Sequence, residues 1–206
     1  MRIIAGKFRR RLLTSPPDST RPMRDRVREA VFSMLEHCLD FDDLRVLDLF
    51  AGSGSLSIES LSRGAKRATL VEQQPVAVDA IGQSARMLNI EQSIEVVASD
   101  VFSFVSKMIG SPGSQIFDLV FLDPPFAMDS RTILQPLAKM SCLRAGSVIV
   151  LHSDAVNRSQ LSDYSAETVL SDMSWQFTLL KQKTYGRSLV TVFESVQAEM
   201  KDAADS

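Results

Sequence analysis

Apolar residues along this chain come in short dense runs separated by longer amphipathic stretches, and the alternation repeats. Arg45 to Phe50, Arg67 to Glu72, Ile94 to Ala98, Phe117 to Leu122 and Gly146 to His152 are dominated by Val, Ile, Leu and Phe, as strands buried on both faces are. Helical stretches fill the gaps. Ser55 to Arg63 predicts a helix closed by Gly64; Pro75 opens a second, which Asn89 can end; Phe102 to Ile109 predicts a third before Gly110-Ser111-Pro112-Gly113 breaks the chain. Strands and helices alternating in this way predict a doubly wound α/β fold, a mostly parallel sheet with helices on both faces and ligands at the carboxyl ends of the strands.

The two ends depart from that pattern. Arg2 to Ala5 and Phe8 to Leu13 flank Gly6-Lys7, which predicts a small hairpin, followed by a Pro16-Pro17 linker. Val27, Val31, Met34, Leu35 and Cys38 then recur at helical spacing, with Arg24 and Arg28 on another face, free to touch phosphate. Near the other end, Trp175 to Tyr185 and Leu189 to Glu194 flank Gly186-Arg187-Ser188, an antiparallel hairpin at a sheet edge. The reading is an extension over residues 1–40, one α/β domain over 41–195 and a polar tail over 196–206 that is expected to be disordered.

Charge changes the picture at the start of the chain. Residues 1–28 hold nine Arg or Lys against two Asp, a net +7, so the remainder of a chain of net charge −2 carries −9. A cationic arm on an acidic body attracts a polyanion, and nucleic acid is the expected partner. No apolar run approaches the ~18 residues that span a bilayer, and the basic start does not run into a secretory apolar segment, so a cytoplasmic protein without membrane contact is expected; monomeric action is expected as well, with a weak dimer left open by the pattern. Cys38 and Cys142 sit among apolar neighbours and read as buried reduced thiols; His37 and His152 lack any partner at metal-ligand spacing, and no metal is expected.

Two motifs carry the chemistry. Asp48-Leu49-Phe50-Ala51-Gly52-Ser53-Gly54 follows the first strand and precedes a helix, where glycines let a ligand approach the backbone. A dinucleotide site would want a third glycine at position 57, which is Ser, so a nicotinamide oxidoreductase ranks last. Glu72 ends the second strand 20 residues after Gly52, placed for ribose hydroxyls; Asp100 ends the third, with Val101 beside it, placed for an adenine amino group. Asp48 can orient the loop or meet a cationic amino acid portion. Downstream, Phe121-Leu122-Asp123-Pro124-Pro125-Phe126 ends the fourth strand, because proline has no N–H for a central ladder. Asp123 and the Pro124 carbonyl can accept the two hydrogens of an exocyclic amine, and Phe126 can stack on its ring.

At these residues the chain resembles class I S-adenosylmethionine-dependent methyltransferases, whose amine-methylating members carry an Asp or Asn, Pro-Pro, aromatic motif. It is closer still to the RsmD-like family. That likeness runs through Arg2 to Gly6, Thr20-Arg21-Pro22, Asp25 to Glu29, Asp48 to Gly54, Ser62 to Ala65, Asp123 to Phe126 and Tyr185-Gly186. It implies a seven-stranded Rossmann-like sheet with its last strand antiparallel, extended by an N-terminal hairpin and helix. The implied reaction is S-adenosylmethionine-dependent methylation of the N2 amine of a guanine in 16S rRNA of the small ribosomal subunit or its assembly intermediate, with S-adenosylhomocysteine as product; the family site is guanine 966. By this likeness Asp48, Phe50, Gly52, Gly54, Glu72, Asp100 and Val101 hold the cofactor, and Asp123, Pro124 and Phe126 receive the base. Arg9, Arg10, Arg11, Arg21, Arg24 and Arg28 grip RNA, and Lys181, Lys183 and Arg187 either join them or form a solvated edge. Phe126 stands where tyrosine is commoner, keeping the stacking face without a hydroxyl. Asp-Pro-Pro-Phe also suits DNA adenine or a protein glutamine, and a non-catalytic nucleic-acid binder on the same scaffold is the remaining alternative.

Overall fold

The computed structural model describes residues 1–16, 23, 25–109, 111, 115–157 and 174–198. Its elements in chain order are α1 (Asp25–Leu35), β1 (Arg45–Asp48), α2 (Ser55–Ser62), β2 (Arg67–Glu72), α3 (Pro75–Leu88), β3 (Ile94–Ala98), α4 (Val101–Met108), β4 (Leu119–Leu122), α5 (Arg131–Leu137), β5 (Val148–Asp154), β6 (Trp175–Tyr185) and β7 (Ser188–Gln197). The strands form one seven-stranded sheet in the order β3-β2-β1-β4-β5-β7-β6. β1 to β5 pair in parallel, while β7 runs antiparallel to both β5 and β6.

Side-chain alternation along the strands sends apolar residues to both faces, which is why two separate cores form. Val46, Leu119, Phe121, Val148, Val150, Val190 and Val192 face a core shared with α1, α2 and α3. Leu47, Leu49, Val120, Leu122, Ile149, Leu151 and Phe193 face the other, packed by α4 and α5. Short α5 had no counterpart in the sequence pattern: Pro136 lies inside it, and only Ile133, Leu134 and Leu137 bury. Pro136 cannot make the bond that its position would direct to the Thr132 carbonyl, and the helix ends one residue later. Asn89 closes α3 in the left-handed region at φ 55°, as its place in the sequence suggested.

The N-terminal segment forms the expected hairpin with sparse pairing: Arg2 bridges Leu12 antiparallel, Ile3 N donates to the Arg11 carbonyl, Arg10 N to the Ile3 carbonyl and Leu13 N to the Met1 carbonyl, and tight turns close Gly6 to Arg9 and Phe8 to Arg11. More of its backbone is satisfied by α2. Glu59 accepts from Ile4 N at 2.7 Å and Ala5 N at 2.9 Å, and Ser62 Oγ accepts from Phe8 N at 2.9 Å. Gly6 makes this docking possible: it sits at φ +77°, and a Cβ there would lie 1.8 Å from the Ser62 carbonyl oxygen. The arm thereby buries all eight residues of α2, polar ones included. Ile3, Leu13 and Val27 join the α2-side core, so residues 1–40 share the core of the sheet.

Two expectations fail, one on burial and one on strand length. Cys38 is exposed while Cys142 is buried. At the C-terminal end, β7 continues through Ser195 and Val196 to Gln197, held by pairing with β6, so the first residues of the anticipated tail are strand; residues 199–206 lie outside the described set.

Candidate active site

The sheet order reverses between β1 and β4. β2 and β3 lie to one side and β5, β7 and β6 to the other, which opens a crevice at the carboxyl ends of β1 and β4. Register places the acidic residues around it. Asp48 pairs with Leu70 of β2 and Phe121 of β4, so Glu72 and Asp123 each lie two residues beyond Asp48's level. Glu72 pairs with Ala98, which sets Asp100 two residues past it in turn. Four acids therefore mark four consecutive strand exits.

The glycine loop is fixed by backbone contacts. Glu72 accepts from Gly52 N and Gln74 N, both at 2.8 Å, and Gly54 N donates to the Ala51 carbonyl at 2.7 Å. The two glycines have different jobs. A Cβ on Gly52 would meet nothing within 4 Å, leaving open space for a ligand, whereas one on Gly54 would meet Leu70 Cδ2 at 2.8 Å and Ile81 behind it. Gly54 therefore serves close packing and its φ of +71° at the start of α2, and the approach to the backbone belongs to Gly52. Phe50 is partly buried against the α4 and α5 core.

Asp48 is 1 % exposed. Ser57 Oγ donates to its Oδ2 at 3.0 Å, while Oδ1 is buried with no hydrogen-bond partner. Burial, with the fields of Asp123 and Glu72 adding to it, pushes the Asp48 carboxyl up to about 7. An under-satisfied acid between two others suits a cation, and the sulfonium and ammonium groups of S-adenosylmethionine are cations. The donor set fits that cofactor: open space at Gly52, carboxylate acceptors at Glu72 and Asp100 for hydroxyl and amino hydrogens, and anionic character at Asp48. Asp100 also caps α4 by accepting from Ser103 N at 3.0 Å, with Val101 the first helical residue.

Past β4 the chain leaves the sheet at Pro124-Pro125, and a turn closes from Met128 N to the Pro125 carbonyl at 2.8 Å. Pro124 is buried, while Asp123 retains side-chain exposure of 27 %. Phe126 is 37 % exposed, so it is not a core plug. Sequence reasoning set His152 aside, yet its Nδ1 lies 2.7 Å from Asp123 Oδ1 and its ring meets Phe126 edge-on, centroids 5.1 Å apart. Pairing of Leu122 with Leu151 makes Asp123 and His152 neighbours across β4 and β5. The signal was available only by aligning two strand ends 29 residues apart.

Among the described residues, the predicted RNA-binding arginines are not brought together at this crevice. Arg28 is 1 % exposed, donates to the Arg2 carbonyl and pairs with Asp25 at 3.1 Å, so it holds the arm and has no surface to offer phosphate. Desolvation lowers its pKa even against the favourable fields of Asp25 and Glu59. The face of α1 that Arg28 occupies is turned toward the arm. Arg9, Arg10 and Arg11 are exposed, but the arm runs down α2 away from the glycine loop, with Lys7 and Phe8 at Ser62 and Arg11 donating to the Met87 carbonyl in the last turn of α3 at 3.0 Å. They occupy the end of the sheet opposite the crevice. Arg21 and Arg24 lie outside the described residues. Exposed cations nearer the crevice are Arg187, paired with Asp154 at 2.7 Å, and Lys183 beside Tyr185, which forms a groove of about 420 Å³ with Arg26 and Lys181.

Among the described residues no helix is long and apolar enough to cross a membrane.

The family model described as Conserved hypothetical protein 95 matches residues 1–194. Ribosomal RNA small subunit methyltransferase D of Haemophilus influenzae is 31 % identical over 189 residues, covering 90 % of this chain and 89 % of that protein. The protein of the same name from Escherichia coli K12 is 39 % identical over 127 residues, 61 % of this chain and 60 % of its own. Among solved structures, the Escherichia coli protein yhhF superposes with a TM-score of 0.75 at 29 % identity, covering 96 % of this chain and 99 % of that one. The fold is the Rossmann-like fold of class I methyltransferases. The chain belongs to the ribosomal RNA small subunit methyltransferase D family.

Proposed function

We propose that this protein transfers a methyl group from S-adenosylmethionine to the N2 amine of a guanine in 16S rRNA, within the small ribosomal subunit or an assembly intermediate. The observation that carries the reading is the place of Asp123, a partly exposed carboxylate at the switch-point crevice, at the exit of the strand next to the one that leads into the glycine loop and sharing His152 with the exposed ring of Phe126. The cofactor, when bound, supplies an electrophilic methyl group. The protein's own residues must then make a weak nucleophile reactive, since the lone pair of a guanine amine is delocalised into its ring.

Asp123 and the Pro124 carbonyl accept the amine's two hydrogens and hold its nitrogen in line for attack, and Phe126 stacks on the base. Asp123 takes the proton released as the N–C bond forms and passes it to water through its exposed side. The base must leave its own stack to reach this crevice, and cations grip the surrounding RNA.

The decisive experiment measures labelled methyl transfer to unmethylated small subunits and to naked 16S rRNA, with wild type and Asp123→Ala, followed by nucleoside analysis. N2-methylguanosine at the family position, lowered at least ~100-fold by the substitution, is the expected result. Transfer to DNA adenine or a protein amine with none to either RNA would overturn the substrate; no transfer by a folded protein that binds the cofactor would overturn the activity.

A further inference from the structure

The buried imidazole of His152 has no part in the chemistry described so far, yet it touches two of the three groups that would receive the substrate, Asp123 and Phe126. It lies inside β5, one residue past the last β4 pair, Leu122 with Leu151, and opposite Val190 of β7, and it is 5 % exposed. Asp123, by contrast, is the first residue past the end of β4, with two side-chain torsions of its own and an open flank. A rigid strand residue thus holds a residue that the Pro-Pro exit would otherwise leave free to rotate.

The geometry is specific. Nδ1 and Asp123 Oδ1 are 2.7 Å apart, in the range of a hydrogen bond assisted by charge, and one carboxylate oxygen remains for another partner. The same ring packs its neighbour Phe126 at an interplanar angle of 74°, an edge-to-face contact. Nε2 is buried without a hydrogen-bond partner. A histidine kept only for stability is expected to satisfy both nitrogens, as buried polar groups generally do. The chain's other histidine shows the ordinary use: His37 is exposed and its Nδ1 meets the Ser33 carbonyl of the preceding turn at 2.7 Å.

We propose that His152 is a positioning residue for amine methylation: it donates from Nδ1 to one Asp123 oxygen and braces Phe126, so that the other oxygen and the aromatic ring face the incoming base as one pre-set frame. The inference rests on the amine-methylation reading above. The bond from Nδ1–H engages one carboxylate oxygen and leaves the lone pairs of the second for the amine. Ordering Asp123 before the base arrives belongs to the rate of transfer rather than to RNA affinity, because the loss falls on alignment of the reacting nitrogen.

The test is a double-mutant cycle on small subunits with His152→Phe, His152→Asn, Asp123→Asn and the Phe/Asn double variant. It reads kcat, KM for the subunit, cofactor Kd and the thermal unfolding midpoint. His152→Phe keeps a ring against Phe126 but removes the donor, and should lower kcat ~10-fold to 100-fold with KM and cofactor Kd within ~threefold of wild type. His152→Asn returns a donor and should recover most of that loss. In the Asp123→Asn background, His152→Phe should change kcat by less than ~threefold, because the bond it removes no longer holds a carboxylate.

Wild-type kcat in His152→Phe, or losses that multiply across the cycle, would overturn the proposal, as would a fall in cofactor affinity and unfolding midpoint that accounts for the lost rate. If His152→Phe does not fold, His152→Leu takes its place in the same cycle with the same criteria. A wild type that methylates no amine would instead refute the activity on which the proposal rests, and that outcome is visible before any variant is made.

Discussion

Two buried acids, one in the seam between the arm and α2 and one at the strand exits, are treated in opposite ways. Glu59 is fully buried and saturated: Ile4 N and Ala5 N donate to its two oxygens, and Arg63 Nε adds a third bond at 3.0 Å. Asp48 is almost as buried but has an oxygen with no partner, and its carboxyl is pushed up to about 7. The first arrangement is what a protein builds to stay folded. The second is costly in the empty protein and is relieved by a cation, so saturation separates a structural acid from a ligand-binding one where burial does not.

Breaking the saturated acid should have the largest effect. Glu59→Ala leaves two arm N–H groups and Arg63 Nε without their acceptor, while the Arg63 guanidinium keeps Glu36, and should cost ~3–5 kcal/mol of stability. Urea unfolding monitored by tryptophan fluorescence checks this, and trypsin should then cut at Arg9 to Arg11 in the folded protein, because the arm is released. A loss below ~1 kcal/mol would mean that the seam is ornamental and the comparison with Asp48 is wrong.

The unsaturated acid should reveal itself through pH. Its folded pKa, about 7, lies above the unfolded value of 3.8, so the folded protein holds an extra proton between those limits and Asp48's contribution to stability falls as pH rises through the window. Cofactor binding should run the other way. A cationic ligand prefers ionised Asp48, so S-adenosylmethionine affinity should rise by up to ~tenfold between pH 6 and pH 8. Asp48→Asn should flatten that rise and make the empty protein more stable at pH 8; calorimetric titration and thermal melts at the two pH values give both signs. Affinity that is flat with pH in the wild type would show that Asp48 does not meet the cation.

Most of the strand exits were legible in the sequence because a parallel α/β sheet announces its strands as dense apolar runs and its loops as punctuation. β2, β3 and β6 match the sequence reading residue for residue, and the motifs at Gly52 and Asp123 lie where the runs end. What was not legible depends on contacts between distant segments. Arg28 looks like a surface cation on a helical wheel, but the arm covers its face. His152 looks idle until β4 and β5 are set in register. The arm reads as a hairpin and is one, but its docking on α2 through Glu59 and Ser62 joins residues more than fifty positions apart and leaves no mark in the apolar pattern.

The smallest effects concern the cations, where the two regions can be compared directly. The arm presents Arg9, Arg10 and Arg11 at the end of α2 and α3 remote from Asp123, whereas Tyr185 pairs with Ser188, and Ser188 with Asp154, which places Lys183 and Arg187 at the exit end of β5. Each Lys or Arg that neutralises a phosphate steepens the dependence of binding on salt by about 0.7–0.9 per contact in a logarithmic plot. If RNA runs the length of the sheet, Arg10→Ala with Arg11→Ala and Lys183→Ala with Arg187→Ala should each reduce the slope by ~1–2, and only the second pair should also lower kcat, because it borders the site where the base is held. Filter binding across salt concentrations separates the cases. A slope changed by the arm pair alone would assign RNA to the face of α2 and α3 and leave the hairpin charges as a solvated edge; a slope changed by the hairpin pair alone would make the arm's arginines, like Arg28 beside them, part of how the protein holds itself together.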